Sequence, residues 1–272
     1  MRDIATAQPV PIILDSEGSE KRPTTVLGVI PARLASTRLA RKVLRTIAGR
    51  PMLAWVYEAA SACPQLTRVI IATDSEEVAH LCNKNNWPVQ LTSSNLRSGT
   101  DRVHAVAQQL PADIYVNIQG DEPLLKPEHL TALLRPFAQP GVEVSTLKVL
   151  CTHEDTTNPN AVKVVTAADG RALYFSRATI PYDRDWRAHD GQPRDNAAPE
   201  YWKHIGLYAY RKATLDRFPT LPSSILEQTE RLEQLRFLEN GIDIRVETTD
   251  YDTIGVDTEE DLKRVEALLQ RL

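Results

Sequence analysis

Apolar, β-branched runs alternate with segments of helical periodicity along the first third of the chain, and this alternation is its strongest structural signal. The runs are TTVLGVIP (24–31), RVIIATD (68–74) and PVQLTS (88–93), and between them lie PMLAWVYEAASAC (51–63) and SEEVAHLCNKNN (75–86). Strands that alternate with helices in this way form βαβ units, whose strands run parallel. The sequence therefore predicts an α/β fold built on a mostly parallel sheet.

The pattern changes to strands and turns from about residue 141 to 215. Three strand-like runs, EVSTLKVLC, NAVKVVTAADGRALYFSR and KHIGLYAYR, occupy this stretch, and Asp169-Gly170 marks a hairpin in the second. We expect a smaller, inserted, mostly antiparallel lobe here. Beyond it, residues 223–241 predict a helix, residues 242–250 and 253–256 predict strands, and TEEDLKRVEALLQRL predicts a last helix with one apolar stripe.

Length and composition fit one domain of an ordinary soluble protein. The 272 residues are 42% hydrophobic and 25% charged, and the net charge of −4 gives no general attraction to nucleic acid or to an anionic membrane. The first 24 residues contain only a short apolar patch, PVPIIL, which is too short for a signal or a membrane span. We expect a flexible tail over 1–24, one domain over 25–272, and a cytoplasmic protein whose three cysteines form neither disulfides nor a zinc site.

Cations cluster directly after the first strand although the chain as a whole is acidic. The segment 26–52 has no Asp or Glu and contains Arg33, Arg38, Arg41, Lys42, Arg45 and Arg50. In an open parallel sheet, ligands bind beyond the carboxyl ends of the strands, where this segment begins. Its guanidinium and ammonium groups, with Ser36 and Thr37 as neutral donors, suit a triphosphate. Neither a P-loop nor a dinucleotide-binding motif is present, and a solvated basic loop is the alternative.

Two aspartates lie where later strands are predicted to end. Asp121 follows DIYVNI in the motif QGDEP, and Asp257 follows TIGV and precedes the last helix. Each has a simpler explanation, because Gly120, Asp121 and Pro123 are turn residues and Asp257 or Thr258 can cap a helix. Together with the basic segment, however, the pair suits magnesium, which binds one or two carboxylates and substrate phosphates. The combination predicts phosphoryl or nucleotidyl transfer.

The start of the helix after residue 97 is a weaker candidate site. Ser98, Thr100 and Arg102 lie in its first turn, where backbone N–H groups favour an anion, although Ser98 is equally well explained as a helix cap. No histidine spacing indicates a metal site, and no GxSxG motif or Cys/His pairing indicates a covalent nucleophile.

Two further groups of polar side chains are ambiguous from the residues alone. His204, Tyr208 and Tyr210 alternate along a predicted strand and so share one face, which by default is a packed aromatic face. The second group lies on the helix predicted over 223–241, where polar residues by default form a solvated surface. Its members are Glu230, Glu233 and Gln234.

A series of motifs, read in chain order, resembles those of one enzyme family. The motifs are IPARLASTRLARKVL, IATD, SGTDR, VNIQGDEP, NPNAVKVV, ALYFSRATIPYDRD, HIGLYAYR, LEQLR and GVDTEEDL, and they extend from about Thr25 to the C-terminus. The chain resembles the 3-deoxy-manno-octulosonate cytidylyltransferases, the CMP-Kdo synthetases of lipopolysaccharide biosynthesis. The resemblance implies a Rossmann-like nucleotide-diphospho-sugar transferase fold with a smaller lobe, here about residues 141–215, for substrate binding and dimerisation. Members of the family usually work as homodimers and convert CTP and Kdo to CMP-Kdo and pyrophosphate.

The resemblance also implies roles for individual residues. The nucleotide side is matched by Arg33, Ser36, Arg38, Lys42, Ser98 and Thr100. The magnesium ligands are matched by Asp121 and Asp257, and these two with Lys42 and Arg38 are the implied catalytic residues. The sugar-acid pocket is matched by Arg102, Gln119, His204, Tyr208, Glu233 and Gln234, with Arg102 as the expected partner of the sugar carboxylate.

The implied reaction is attack of the anomeric hydroxyl of Kdo on the α-phosphorus of CTP, with pyrophosphate leaving in line. Magnesium would activate the hydroxyl and the basic segment would stabilise the leaving group, so no covalent nucleophile is needed. This chain departs from the family pattern at one place. After STRL the family commonly has Pro-Gly-Lys-Pro, whereas this sequence has Ala40-Arg41-Lys42-Val43, which changes the allowed φ angles of the loop.

Two alternatives stay open at this point. The substrate could be a related acid such as 8-amino-Kdo or a sialic acid, because exchanging one hydroxyl for an amine needs only one altered contact. The chain could also bind a sugar nucleotide without turning it over, although such a protein has no need of a metal pair. The expected partners are CTP, Kdo and a second copy of the chain, with neither nucleic acid nor membrane, and the expected cofactor is Mg²⁺.

Overall fold

The computed structural model describes residues 23–34, 39–184 and 200–270. The expected tail over 1–24 lies almost wholly outside these ranges, and so do the predicted nucleotide-binding residues Ser36 and Arg38. In the described ranges no helix is long and apolar enough to cross a membrane.

A nine-stranded sheet forms the centre of the described structure. Its strands are β1 (Val26–Pro31), β4 (Arg68–Thr73), β5 (Val89–Leu91), β6 (Ile114–Asn117), β7 (Val144–Leu150), β8 (Lys163–Thr166), β9 (Ala172–Ser176), β10 (Trp202–Arg211) and β11 (Ile244–Thr248), while β2 (Thr46–Ile47) and β3 (Arg50–Pro51) form a separate pair. Seven strands follow the order β11-β7-β10-β6-β1-β4-β5. All neighbours in this order are parallel except β10, which is antiparallel to β6 and β7. The predicted α/β fold with a mostly parallel sheet is confirmed.

Helices cover both faces of this sheet. Successive residues of a strand point to opposite faces, so a strand that is apolar throughout presents apolar side chains to both. The helices are α1 (Met52–Ser61), α2 (Glu76–Lys84), α3 (Gly99–Ala107), α4 (Pro127–Leu134), α5 (His153–Thr157), α6 (Lys212–Arg217), α7 (Ile225–Glu230), α8 (Gln234–Glu239) and α9 (Glu259–Leu269), with 3₁₀ turns at Lys42–Leu44, Arg135–Ala138 and Phe218–Thr220. Val26 and Ile30 of β1 pack with α1, α2 and α4, whereas Leu27 and Val29 pack with α3, α6 and α8. The central strand is therefore buried on both sides, which explains its continuous apolar sequence.

Strands of the expected lobe, residues 141–215, extend the central sheet. Strand β10 pairs with β6 on one side and β7 on the other, and the hairpin β8–β9 branches from β10 through Lys163 and Lys203. The turn of that hairpin contains Gly170 at φ +84°, a conformation that favours glycine. The antiparallel character expected for this stretch is present, while its separate role in substrate binding stays a prediction.

The single helix predicted over 223–241 is wrong, because the chain breaks there into α7 and α8. Arg231 takes the left-handed conformation at φ +55° and ψ +47° and ends the first helix. No residue of α7 is buried, whereas Leu232 is buried just beyond the break. Only the second half therefore has a face to pack, and Glu227 accepts a 2.8 Å hydrogen bond from Arg236 Nε across the break.

The strand predicted over 253–256 is also absent from the structure. The segment makes one backbone contact to the neighbouring loop, in which the Val256 N–H donates to the Asp121 carbonyl at 2.9 Å. One hydrogen bond does not make a ladder, so the segment remains irregular. This contact nevertheless links the segment that precedes Asp257 to the motif QGDEP.

We predict that Arg231→Gly raises the free energy of unfolding, because Arg231 is held at a positive φ that costs a residue with a Cβ about 1 kcal/mol. Arg231→Ala is the matched control, since it removes the same side chain but keeps the Cβ. Urea unfolding should show the glycine variant to be more stable than the alanine variant. Equal or lower stability of the glycine variant would show that the turn carries no such strain.

Candidate active site

Lys42 brings Asp121 and Asp257 together at the carboxyl edge of the sheet. Its Nζ donates to Asp257 Oδ1 at 2.9 Å and also to Asp121 Oδ2. Asp121 lies just beyond β6, and Lys42 follows β1, the parallel neighbour of β6. Three segments that are distant in the sequence therefore meet where the parallel strands end.

The ammonium of Lys42 is held in its charged form by this arrangement. Its side chain is only 14% exposed, and burial alone would lower its pKa. The charges and hydrogen bonds of Asp121 and Asp257 outweigh that effect and raise the pKa above its usual value. One cation between two carboxylates still leaves a net negative charge.

The same two carboxylates fit a magnesium ion. Both reach a single Nζ atom, so they are close enough to share one cation. Among the described residues no group of three or more His, Cys, Asp or Glu is arranged to hold a metal. Proteins usually bind Mg²⁺ through one or two carboxylates, and water and substrate phosphates complete its coordination shell.

A pocket of about 460 Å³ opens at the same edge of the sheet, where Asn117 at the end of β6 and Gln119, two residues before Asp121, line it. Eight of the residues predicted from the sequence line it, namely Arg33, Ser98, Thr100, Gln119, His204, Tyr208, Glu233 and Gln234. Three of its polar atoms are buried without a partner among the described residues, namely Arg33 Nη2, Tyr208 Oη and Gln234 Nε2. Buried polar groups are normally hydrogen-bonded, so these atoms indicate a ligand with several polar groups.

Sequence reasoning missed six residues that line this pocket. They are Arg97, Gly99, Asn117, Gly206, Arg231 and Leu232. Arg97 and Gly99 flank Ser98, and Asn117 ends β6, so their positions next to predicted residues were an available signal. Arg231 and Leu232 could not be found in this way, because the predicted continuous helix hid the turn that carries them into the pocket.

The start of α3 is tied to the start of α8 across the pocket. Thr100 Oγ1 donates to Glu233 Oε2 at 2.9 Å, and the Ser98 hydroxyl also hydrogen-bonds to Glu233. Burial raises the pKa of Glu233, and these two hydrogen bonds oppose the shift. The residues assigned to the nucleotide side and to the sugar side by resemblance are therefore in direct contact.

The aromatic residues of β10 form a stack that runs from the core into the pocket. Ring centroids lie 5.3 Å apart for His204 and Tyr208, 5.9 Å for Tyr208 and Tyr210, and 5.7 Å for Tyr210 and Phe237. Tyr210 does not line the pocket and is 1% exposed, so the packed aromatic face is the right description of its end of the stack. His204 and Tyr208 form the pocket end.

Arg102 is fully buried, and it is not among the residues that line the pocket. Its Nη2 donates to Asp74 Oδ2 at 2.8 Å, and its Nη1 donates to Thr92. A direct bond to a sugar carboxylate would require this buried pair to open, which is costly because it leaves Asp74 without its partner. The contact expected for Arg102 from the resemblance stays a prediction, and the structure pairs Arg102 with Asp74.

A second pocket of about 440 Å³ adjoins the first and shares His204 and Gly206 with it. Asp257 lines this second pocket together with Glu122. Burial, followed by the charge of Asp121, raises the pKa of Glu122 to about 8. Asp257 therefore faces the second of two adjoining cavities, and two adjoining cavities allow two ligands to be bound side by side.

Arg41 occupies the position where the family commonly has glycine. Its φ is +55°, so the loop keeps the left-handed conformation that glycine would adopt without strain. The guanidinium of Arg41 pairs with Glu77. The backbone before Lys42 therefore keeps a glycine-like conformation although the sequence departs from the family pattern. Holding Arg41 in the left-handed region costs about 1 kcal/mol of stability.

Comparisons with known proteins agree with this geometry. The sequence model of the family described as cytidylyltransferase matches residues 27–244. A relative from Acidobacterium capsulatum, named 3-deoxy-manno-octulosonate cytidylyltransferase, is 65% identical over 244 residues, which are 90% of this chain and 96% of the relative. A relative of the same name from Koribacter versatilis is 62% identical and covers 90% of each chain.

Solved structures give the same result. CMP:2-keto-3-deoxy-manno-octonic acid synthetase, solved in complex with CTP, is 39% identical with a TM-score of 0.84 and covers 92% of this chain and 100% of its own. At 14% identity and a TM-score of 0.59, 4-diphosphocytidyl-2C-methyl-D-erythritol synthase from Anaerococcus prevotii shares the fold, covering 91% of this chain and 97% of its own. The resemblance read from the sequence motifs is confirmed, and the chain belongs to the 3-deoxy-manno-octulosonate cytidylyltransferase family.

Proposed function

We propose that this protein transfers CMP from CTP to the anomeric hydroxyl of 3-deoxy-D-manno-octulosonate (Kdo), giving CMP-Kdo and pyrophosphate and activating Kdo for lipopolysaccharide biosynthesis. The observation that carries the proposal is the pair Asp121 and Asp257, bridged by Lys42 at the carboxyl edge of the sheet, where a polar pocket also opens. The 65% identity to a named cytidylyltransferase over 90% of the chain supports it.

The first pocket has the groups that a polyhydroxylated acid requires. Glu233 and Tyr208 supply oxygen atoms that accept hydrogen bonds from hydroxyls, and Gln234 Nε2 is a buried donor without a partner among the described residues. Arg97 and Arg231 line the same pocket and make it positive. The sugar carboxylate can pair with these cations while Arg102 remains bound to Asp74.

The basic segment after β1 holds the triphosphate in this proposal. Arg33 Nη2 is buried without a partner among the described residues, so it is available for an anion. Ser36 and Arg38 belong to the same segment and keep the role that the family resemblance implies. An arginine guanidinium can donate two parallel hydrogen bonds to phosphate oxygens, and this stabilises a leaving pyrophosphate.

Asp121 and Asp257 are the residues that would hold Mg²⁺. When bound, the metal would neutralise phosphate charge and lower the pKa of the attacking hydroxyl. Lys42 offsets part of the charge of the two carboxylates in the ligand-free protein, and its flexible stem allows the ammonium to turn to phosphate oxygens when CTP enters. The chain itself therefore contributes charge, position and exclusion of water, with no covalent nucleophile.

We extend the proposal to a cytoplasmic homodimer, as the resemblance implies. Leu150, Leu173 and Tyr182 are 52%, 54% and 86% exposed on the antiparallel part of the fold. Contiguous exposed apolar patches mark interaction surfaces, and in this proposal these side chains belong to one that a second copy covers. All three cysteines are free thiols, as expected in a reducing compartment.

Pyrophosphate release by the purified protein tests the reaction. With Mg²⁺ and CTP, release should be fastest with Kdo and much slower with 8-amino-Kdo or N-acetylneuraminate, and UTP should replace CTP poorly. A preference for another acid would keep the nucleotidyl transfer but change the substrate. Binding of CTP without release with any of the three acids would contradict the proposed enzyme and favour a binding protein.

We predict that Asp121→Asn lowers turnover by about 100-fold or more, because a carboxylate that binds the metal supplies several kcal/mol of transition-state stabilisation. The melting temperature should change little, since Lys42 keeps its partner Asp257. Asp243→Asn is the matched control, because Asp243 is exposed just before β11 and its ion pair with Arg171 is long, at 3.6 Å. Unchanged turnover in the Asp121 variant would refute the metal assignment.

A further inference from the structure

A buried threonine lies directly behind the pocket histidine. Thr146 of β7 is fully buried, and its Oγ1 is 2.9 Å from His204 Nε2. The same oxygen is 2.7 Å from the Leu207 carbonyl and 3.2 Å from the Ile205 carbonyl. Neither the family resemblance nor the pocket lining points to Thr146, and its contact with His204 links it to the pocket.

An irregularity in β10 creates this arrangement. The register with β7 shifts between Ile205 and Tyr208, so Gly206 and Leu207 form a bulge opposite Thr146. Bulges redirect side chains and leave backbone groups without ladder partners. The Thr146 hydroxyl lies in the bulge, where it is within hydrogen-bond distance of two of these carbonyls.

Counting protons then assigns the tautomer of His204. A threonine hydroxyl has one proton to donate, and the shortest contact of Thr146 Oγ1 is to the Leu207 carbonyl, which can only accept. With that proton used, Oγ1 can only accept from His204 Nε2, so Nε2 must carry the hydrogen. The opposite assignment would place the Leu207 and Thr146 oxygens 2.7 Å apart with no proton between them.

The other ring nitrogen, Nδ1, is then a hydrogen-bond acceptor. No hydrogen bond to Nδ1 is present among the described residues, and His204 lines both pockets. Phe175 meets the ring edge to face at 5.0 Å and Tyr208 packs on it at 5.3 Å, so the ring is fixed in orientation. Burial lowers the pKa of His204 to about 3, which keeps the ring neutral.

We propose that Thr146 is a positioning residue that holds His204 in the Nε2–H tautomer, so that Nδ1 accepts a hydrogen bond from a hydroxyl of the sugar acid. The part that concerns the sugar rests on the proposed function, whereas the tautomer is a property of the protein alone. Thr146 acts on sugar binding through His204, since it lines neither pocket itself.

The tautomer is tested by ¹⁵N NMR of the full-length protein without substrate. The chain has six histidines, so the His204 signals are identified by their loss in His204→Gln. The wild type should show a protonated Nε2 and an unprotonated Nδ1. Thr146→Val removes the acceptor for Nε2–H and should give a mixture of tautomers, whereas Thr146→Ser keeps the hydroxyl and should restore the wild-type pattern.

Kinetics test the consequence for the sugar. Thr146→Val should raise KM for Kdo by about 3- to 10-fold, the effect of one hydrogen bond, and leave KM for CTP nearly unchanged. Thr146→Ser should recover most of the loss. Thr214→Val is the matched control, because it removes another buried hydroxyl, which donates to Glu143 outside the pocket, and should change neither KM nor the tautomer.

The outcomes separate this proposal from the proposed function. A protonated Nδ1 in the wild type, or a tautomer that Thr146→Val leaves unchanged, would overturn the positioning role whatever the substrate is. An altered tautomer with KM for Kdo unchanged would overturn the contact between Nδ1 and the sugar. Absence of turnover with every acid would contradict the proposed enzyme but leave the NMR result valid.

Discussion

The contact of Lys42 with Asp121 and Asp257 joins three segments of the chain. Asp121 lies 79 residues after the lysine and Asp257 lies 215 residues after it. The order of the strands makes the contact possible, because β1 and β6 are parallel neighbours and their carboxyl ends open on the same edge. The Val256 N–H bond to the Asp121 carbonyl fixes the third segment. Asp257 lines the second pocket, and Asp121 lies two residues after Gln119, which lines the first, so the geometry of the candidate site depends on this cluster.

The parts of the site that follow from strand order were predictable from the sequence. Alternating strands and helices place Lys42 and Asp121 at one edge, because parallel strands all end on the same side. Arg41 shows how a local rule can be overridden. A glycine-like φ of +55° persists there with an arginine, whose side chain pairs with Glu77.

Features that depend on tertiary packing could not be read from the sequence. The break at Arg231 arises because α7 has no buried face, a property that helical periodicity alone does not reveal. Glu233 therefore lies in the pocket although its spacing is typical of a solvated helix surface. Arg102 is the reverse case, because its motif indicates a binding residue, while Asp74 and Thr92 hold its guanidinium in the interior.

The most direct test of the central claim is a crystal structure of the protein with CTP and Mn²⁺ in place of Mg²⁺, measured at the manganese absorption edge. The account predicts anomalous density between the carboxylates of Asp121 and Asp257, with the Lys42 ammonium moved onto the triphosphate. Manganese bound by phosphate oxygens alone, with Lys42 still bridging both aspartates, would contradict it.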